Sequence, residues 1–421
     1  MRVLVISRNA WDDTNAIGNT LSNFFTGVEG IEFASIYFRS AKPNNCLCKR
    51  YYCTSEIEVL KKWFVPHKIG RTFTLEKGKE TQQCDSAEKH EKTLIRMIRK
   101  SGMSLAYKLS DYIWCSKKWI NDNLKVYVES FSPDLIFTFV KAAPQYYLTV
   151  RFLRENYHIP LISWIADDEY TGLMHRNAHR ESDQLKYILN ESVAVRGCSE
   201  EICTYYNSVF QCSAMPLYKG CDLSTPVKKT VNQPLKIVYA GNLLYGRLEI
   251  LRKIADVLEE HPQEVSFAIY SNTPLSSAEQ NWFAERPRTR YMGQRDYATI
   301  KQELAEADIV LHAESFDDTQ ILKTKYSFST KIIDCLQSGS VLLAVGPNEL
   351  ASIKYVKRIP GAFVIDDLEQ LREKLLHFLS DSSALCERAE RIRAFAQTHH
   401  DASMNAKALE EMMRKIVEGD L

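Results

Sequence analysis

Two stretches of this chain combine small residues with cations at spacings that suit a phosphorylated ligand. The first is Lys236-Ile-Val-Tyr-Ala-Gly-Asn-Leu-Leu-Tyr-Gly-Arg247. Its apolar run ends in Ala240-Gly241-Asn242, and a helix is expected from about Leu248. Small residues at a strand's end let phosphate oxygens approach backbone N–H groups, and a helix N-terminus adds partial positive charge. Arg247 stands where its guanidinium can grip a diphosphate through two parallel hydrogen bonds. A plain strand–turn–helix with a surface arginine fits the same residues. The second stretch is Tyr326-Ser-Phe-Ser-Thr-Lys-Ile-Ile-Asp-Cys-Leu-Gln-Ser-Gly339. Ser329 or Thr330 is the expected N-cap of a helix starting at Lys331, with Gly339 as its stop. An anion there meets a helix dipole, a hydroxyl and the Lys331 ammonium together. Asp334 shares the Lys331 face and offers a carboxylate to ribose hydroxyls. The competing reading is a surface Lys–Asp pair of about 0.3 kcal/mol. As surface residues, Arg247, Lys331 and Asp334 should each be replaceable with little loss of stability.

These residues need elements to hold them. Val3–Ile6, Ile31–Phe38, Leu135–Phe139, Leu161–Ile165 and Ser192–Val195 are short, β-branched or aromatic runs separated by longer helical stretches. Such alternation predicts a doubly wound parallel sheet. Residues 222–234 hold two prolines and no apolar period, which reads as a linker. Alternation then restarts with Leu235–Tyr239, Val265–Tyr270, Arg290–Tyr291, Ile309–Leu311, Val341–Val345 and Ala362–Ile365. Residues 384–418 read as helix, with Leu409, Met412, Met413 and Ile416 on one stripe. The expected organisation is two Rossmann-like α/β domains facing across a cleft, 1–225 and 226–390, with 391–421 returning to the first. Ligands of open parallel sheets bind beyond the carboxyl ends of the strands.

The first half offers fewer candidates. The loop Asn9–Asn19 follows the first strand and contains Gly18 and Asn19. Trp164-Ile-Ala-Asp-Asp168 ends a buried strand, and a carboxylate there can orient or deprotonate a hydroxyl. Adjacent residues point in opposite directions, so one of Asp167 and Asp168 is expected to face a ligand. Alternatively, both cap the next turn.

Gly241-Asn-Leu through Arg247, taken with Phe328-Ser-Thr-Lys-Ile-Ile-Asp and Ser-Gly-Ser-Val-Leu-Leu-Ala, resembles the donor site of the GT4-type glycosyltransferases. Gly293-Gln-Arg295 resembles the loop that meets the nucleobase, and Ala307 through Glu314 the strand before the donor helix. Ser199-Glu200 and Tyr218-Lys-Gly-Cys-Asp222 resemble the turns closing the first domain, and Gly18-Asn19 the glycine loop near the donor phosphates. The resemblance implies a GT-B fold and a retaining, metal-independent transferase with no cofactor. Its donor is a nucleotide-diphosphate sugar, UDP- or GDP-linked, held by Gly241, Asn242, Gly293, Arg295, Glu314, Ser329, Thr330 and Asp334. Arg247 and Lys331 neutralise the leaving group, and Asp167 or Asp168 serves the acceptor. The sequence departs from the family in two places. Tyr326 stands where the first acid of its Glu-x7-Glu motif belongs, and Glu314 replaces that acid only if 315–327 folds it back. Asn242 replaces the usual arginine. The implied setting is a glycan or lipid-linked acceptor in bacterial surface polysaccharide or glycolipid assembly. A nucleotide-sugar epimerase on the same fold, or a silent nucleotide-sugar binding scaffold, is the alternative.

Composition sets the outer limits. Over 421 residues, 54 basic and 53 acidic side chains leave a formal charge of +1, which argues against a nucleic-acid footprint. Eleven scattered cysteines read as reduced thiols, and Cys46, Cys48, Cys53 and Cys84 are poorly spaced for zinc. Neither a signal peptide nor a membrane span is apparent, so a cytoplasmic protein is expected. Residues 86–125 carry nine Lys/Arg against four acids, interleaved with Leu94, Ile98, Trp114 and Trp119. That pattern suits peripheral contact with the inner face of the cell membrane, or a helical pair packed on its own domain.

Overall fold

The computed structural model describes residues 1–62, 68–75, 110–175, 178–262 and 264–420. Contacts divide the chain into two compact units. Met1–Cys198, Cys203–Leu217 and Ala406–Leu421 form the first, and Ser199–Ile202 with Tyr218–Asn405 form the second.

The first unit is built on eight strands. They are β1 (Arg2–Ser7), β2 (Glu32–Tyr37), β3 (Cys48–Cys53), β4 (Arg71–Thr74), β5 (Leu135–Phe139), β6 (Leu161–Ile165), β7 (Ala194–Gly197) and β8 (Met215–Pro216). Their order is β4-β3-β2-β1-β5-β6-β7-β8, parallel except for β4 against β3. Central strands covered on both faces need apolar side chains at every position, which is why β1, β5 and β6 stand out in sequence. β3, β4 and β8 escape that test. Cys48-Lys-Arg-Tyr-Tyr-Cys53 has no apolar run, β4 alternates half-buried and exposed residues, and β8 spans two residues. Trp164 and Phe24 pack edge to face at 5.2 Å between ring centroids, tying β6 to the helix Ala16–Phe25.

Most of the basic segment proposed for membrane contact, 86–109, lies outside the described residues. At its described end the aromatic residues pack inward, as the reading of a helical pair packed on its own domain expects. Ile113, Trp114 and Trp119 are buried, with Trp114 and Trp119 packed against Phe38 and against each other.

The second unit holds six parallel strands: β9 (Leu235–Ala240), β10 (Val265–Tyr270), β11 (Thr289–Gly293), β12 (Ile309–Ala313), β13 (Val341–Val345) and β14 (Phe363–Ile365). Their order, β11-β10-β9-β12-β13-β14, reverses between β9 and β12. That switch point leaves a crevice at the carboxyl ends of the two central strands. No helix or strand lies between Pro216 and Leu235. The tail is two helices rather than one, Leu385–His400 and Ala402–Glu418. Asp401 separates them, its Oδ1 accepting the Ser403 and Met404 N–H groups at 2.9 and 3.0 Å. No helix of the described residues is long and apolar enough to cross a membrane.

Candidate functional site

In the second unit, β9 ends at Ala240 and the helix Arg247–Glu259 begins seven residues later, after Gly246 in the left-handed region at φ 74°. Gly241 is required by close approach. A Cβ there would lie 2.4 Å from Lys331 Nζ and 2.7 Å from the Tyr239 hydroxyl. The absent side chain therefore brings the Lys331 ammonium onto the backbone at the strand's end. Lys331 opens the helix Lys331–Gln337, which leads into β13. Neither Ser329 nor Thr330 caps that helix as expected. Thr330 has helical dihedrals, and no side-chain hydrogen bond closes the N-terminus. Gly339 follows the helix at φ 81°, as expected of its stop.

Arg247 is not the surface cation anticipated. Its side chain is 11% exposed, and its Nε and Nη2 donate to the two oxygens of Glu314 at 3.1 and 2.9 Å. Nη1 donates to Asn242 Oδ1 at 2.8 Å. Burial opposes the Arg247 charge, but Glu314 outweighs it. Glu314 sits directly after β12, so the switch point itself joins the pair, with no help from the 315–327 segment. His312, also buried, puts Nε2 3.4 Å from Glu314 Oε1.

Two cations therefore stand in different states. Arg247 is neutralised, whereas no hydrogen bond or ion pair to the Lys331 ammonium is present among the described residues. Burial pulls Lys331 down to about 8, and the neighbouring Arg247 charge adds to the effect. Three residues on, Asp334 accepts a hydrogen bond from the Tyr297 hydroxyl at 3.3 Å, and Gln337 Nε2 donates to that hydroxyl at 3.3 Å. Burial pushes the Asp334 carboxyl up, while Lys219, Tyr297 and Lys331 pull it back. Tyr297 follows the loop Gly293-Gln-Arg295, so β11's loop and the Lys331 helix meet at Asp334. Arg295 itself is exposed and turned onto its own loop, donating to the Gln294 carbonyl at 2.9 Å.

Tyr297, His312 and Gln337 were not picked out in sequence. A tyrosine one residue after Asp296, which caps the helix Tyr297–Glu306, was the only available signal for the first. An open cavity of about 540 Å³ lies elsewhere, at the amino ends of β9 and β10, lined by Lys228, Lys236 and Glu306. Its cations are already paired with acids, so it does not compete as the site.

In the first unit the candidates separate. Gly18 and Asn19 lie inside the helix Ala16–Phe25, not in a loop. Asn15 caps that helix by accepting the Gly18 N–H at 2.9 Å, and a Cβ on Gly18 would strike the Asp12 carbonyl. Gly18 is thus explained by packing. Asp168 Oδ1 accepts the N–H groups of Tyr170 and Thr171 at 3.0 and 3.2 Å and the Tyr206 hydroxyl at 3.4 Å. It closes the first turn of the next helix. Asp167 is exposed, 3.7 Å from the Lys141 ammonium at the end of β5.

No family model matches this chain, and no curated protein does. Solved structures do. HepE from Anabaena, in complex with UDP, superposes with a TM-score of 0.63 at 12% identity, covering 99% of this chain and 100% of that one. Sucrose-phosphate synthase from Thermosynechococcus elongatus gives 0.62 at 12% identity, covering 99% of each chain. The fold is GT-B. WaaG, a glycosyltransferase involved in lipopolysaccharide biosynthesis, shares this GT-B architecture at a TM-score of 0.58 and 13% identity, over 99% of this chain and 100% of its own.

Proposed function

We propose that this chain is a glycosyltransferase that takes its sugar from a nucleotide-diphosphate sugar held at the carboxyl ends of β9 and β12. The observation carrying this reading is the Lys331 ammonium, unpartnered among the described residues and pressed against Gly241 at the switch point. A half-buried cation without an anion is costly, and a diphosphate is the anion that the setting fits. Glycosyltransferase neighbours across the full chain, and HepE solved with UDP-glucose, support the same chemistry. On this reading Asp334 takes ribose hydroxyls, Gly293 and Arg295 border the base, and Ser329 and Thr330 border the phosphates. Asp167 serves the acceptor, and Asp168 acts as a cap. The finer reading is a GT4-type, retaining hexosyltransferase that needs no metal. It acts on a glycan or lipid-linked acceptor in surface polysaccharide assembly, on the cytoplasmic side of the membrane.

A thermal-shift panel of UDP-, GDP-, ADP- and CMP-sugars, run with EDTA and with magnesium, tests this. A donor at about 100 times its Kd adds about 2.7 kcal/mol to stability. No shift with any donor sinks the reading, and a shift seen only with magnesium sinks its metal-free part. A silent scaffold has one observation in its favour, Tyr326 standing in place of the family's acid. It would bind a donor without ever transferring or hydrolysing the sugar.

A further inference from the structure

Three side chains at the switch point form a chain of charge. Arg247 holds both oxygens of Glu314, and His312 Nε2 lies 3.4 Å from Glu314 Oε1. The His312 and Glu314 side chains are each 4% exposed. Despite the short distance, His312 Nε2 has no hydrogen-bond partner among the described residues. A buried polar atom left without a partner beside a carboxylate calls for an explanation.

We propose that His312 is a positioning residue of the donor site, which takes up a proton and engages Glu314 when a diphosphate draws Arg247 outward. The proposal rests on the donor reading above and adds a step to it. As the side chains stand, Arg247 neutralises Glu314 and the imidazole is neutral. Burial holds it down at about 4, with Arg247 and Lys331 adding to that effect and Glu314 opposing it. A diphosphate entering beside Lys331 and Arg247 changes these influences in one direction. Its negative charge cancels the field of both cations at the ring. As Arg247 turns N–H groups toward phosphate, its hold on Glu314 loosens, and a buried carboxylate cannot be left without a donor. The protonated ring supplies one, with Nε2–H toward Glu314 Oε1. One proton moves from solvent to the ring on binding and returns to solvent on release, and no covalent bond to the ligand forms. The charged groups facing the ring are Glu314 from the end of β12, Arg247 from the helix after β9 and Lys331 before β13. Tyr239 of β9 stays neutral because burial pushes its hydroxyl up.

The test is calorimetry of UDP-glucose, GDP-mannose and ADP-glucose binding at about pH 6, in buffers of different ionisation enthalpy. The diphosphate diester of these probes does not titrate there, and Lys331, with its pKa near 8, is already charged. His312→Gln then separates uptake at the ring from uptake at the Asp334 carboxyl, which burial pushes up. The expected result is a fractional proton taken up per bound probe, with affinity rising as pH falls, by about tenfold per pH unit for one full proton. His312→Gln should bind with no uptake and a flat pH profile, and Glu314→Gln should lose the uptake as well. Binding by the wild type without uptake overturns this proposal and leaves the donor reading standing, as does uptake that persists in His312→Gln. No binding of any probe overturns both.

Discussion

At the scale of single residues, Arg247 and Lys331 are both cations at the proposed donor site, yet their removal should act on stability in opposite directions. Arg247→Ala strands the buried Glu314 carboxylate, and breaking a buried pair costs about 3–5 kcal/mol. Denaturant unfolding at neutral pH should show that loss, and the double variant Arg247→Ala/Glu314→Ala should recover most of it. A loss under about 1 kcal/mol would mean the pair is as weak as an exposed one. Lys331 is the reverse case. Its folded pKa of about 8 lies below its ordinary 10.5, so below pH 8 the protein carries the full penalty of a buried charge. As pH rises from 8 toward 10.5 the folded lysine loses its proton first, and stability rises across that window. Lys331→Met should therefore raise stability at neutral pH by about 1–3 kcal/mol and flatten the alkaline rise. It should also weaken nucleotide-sugar binding by about 1.5–3 kcal/mol, the range for charge-assisted hydrogen bonds. A variant both less stable and unimpaired in binding would contradict this account of Lys331.

Elements decide how two adjacent acids are used. Asp167 and Asp168 follow β6 directly, and only the helix Tyr170–His175 distinguishes them. Its first N–H groups have no partner within the helix and take Asp168 as theirs. Asp168→Ala should cost about 1 kcal/mol in unfolding free energy, the usual loss for a cap. Asp167→Ala should leave stability within about 0.5 kcal/mol and lower sugar transfer. If Asp167→Ala transfers at the wild-type rate, the acceptor acid is elsewhere. The helix Ala16–Phe25 teaches the same lesson for Gly18. Its missing side chain reads as a phosphate loop in sequence, but a helix turn set against the Asp12 carbonyl demands it.

Over the whole molecule, the chain starts in the first unit, builds the second, and from Ala406 belongs to the first again. Ala406, Leu409, Met413 and Ile416 bury one stripe of that last helix, and Arg414 donates to the Glu29 carbonyl at 3.1 Å. Burying three large apolar side chains contributes about 1.5–3 kcal/mol each. Truncation after Asn405 should therefore lower the melting temperature of the first unit's transition in scanning calorimetry. An unchanged transition would show the stripe to be dispensable. Residues 86–125 raise a second question at this scale. Their charge predicts sedimentation with anionic liposomes that weakens as salt rises. With Trp114 and Trp119 buried, little apolar insertion should remain at high salt. Equal binding to neutral vesicles would contradict an electrostatic contact.

The alternation of apolar runs and helices was enough to reveal two parallel sheets. Central parallel strands such as β1, β9 and β13 are buried on both faces, and that condition is written locally. Edge strands β4 and β8, and β3 beside β4, carry no such uninterrupted apolar run and went unread. Within the candidate site, Gly241, Arg247, Lys331 and Asp334 were legible as candidates because each lies within a few residues of a strand or helix end. Their states were not. Arg247 meets Glu314 across 67 residues, and His312 and Tyr297 reach the site only because β12 lies beside β9 and β11's loop meets the Lys331 helix. Strand order sets those partners. A residue's type and its local spacing say that it can carry charge, but whether that charge is paired depends on which distant strand packs beside it.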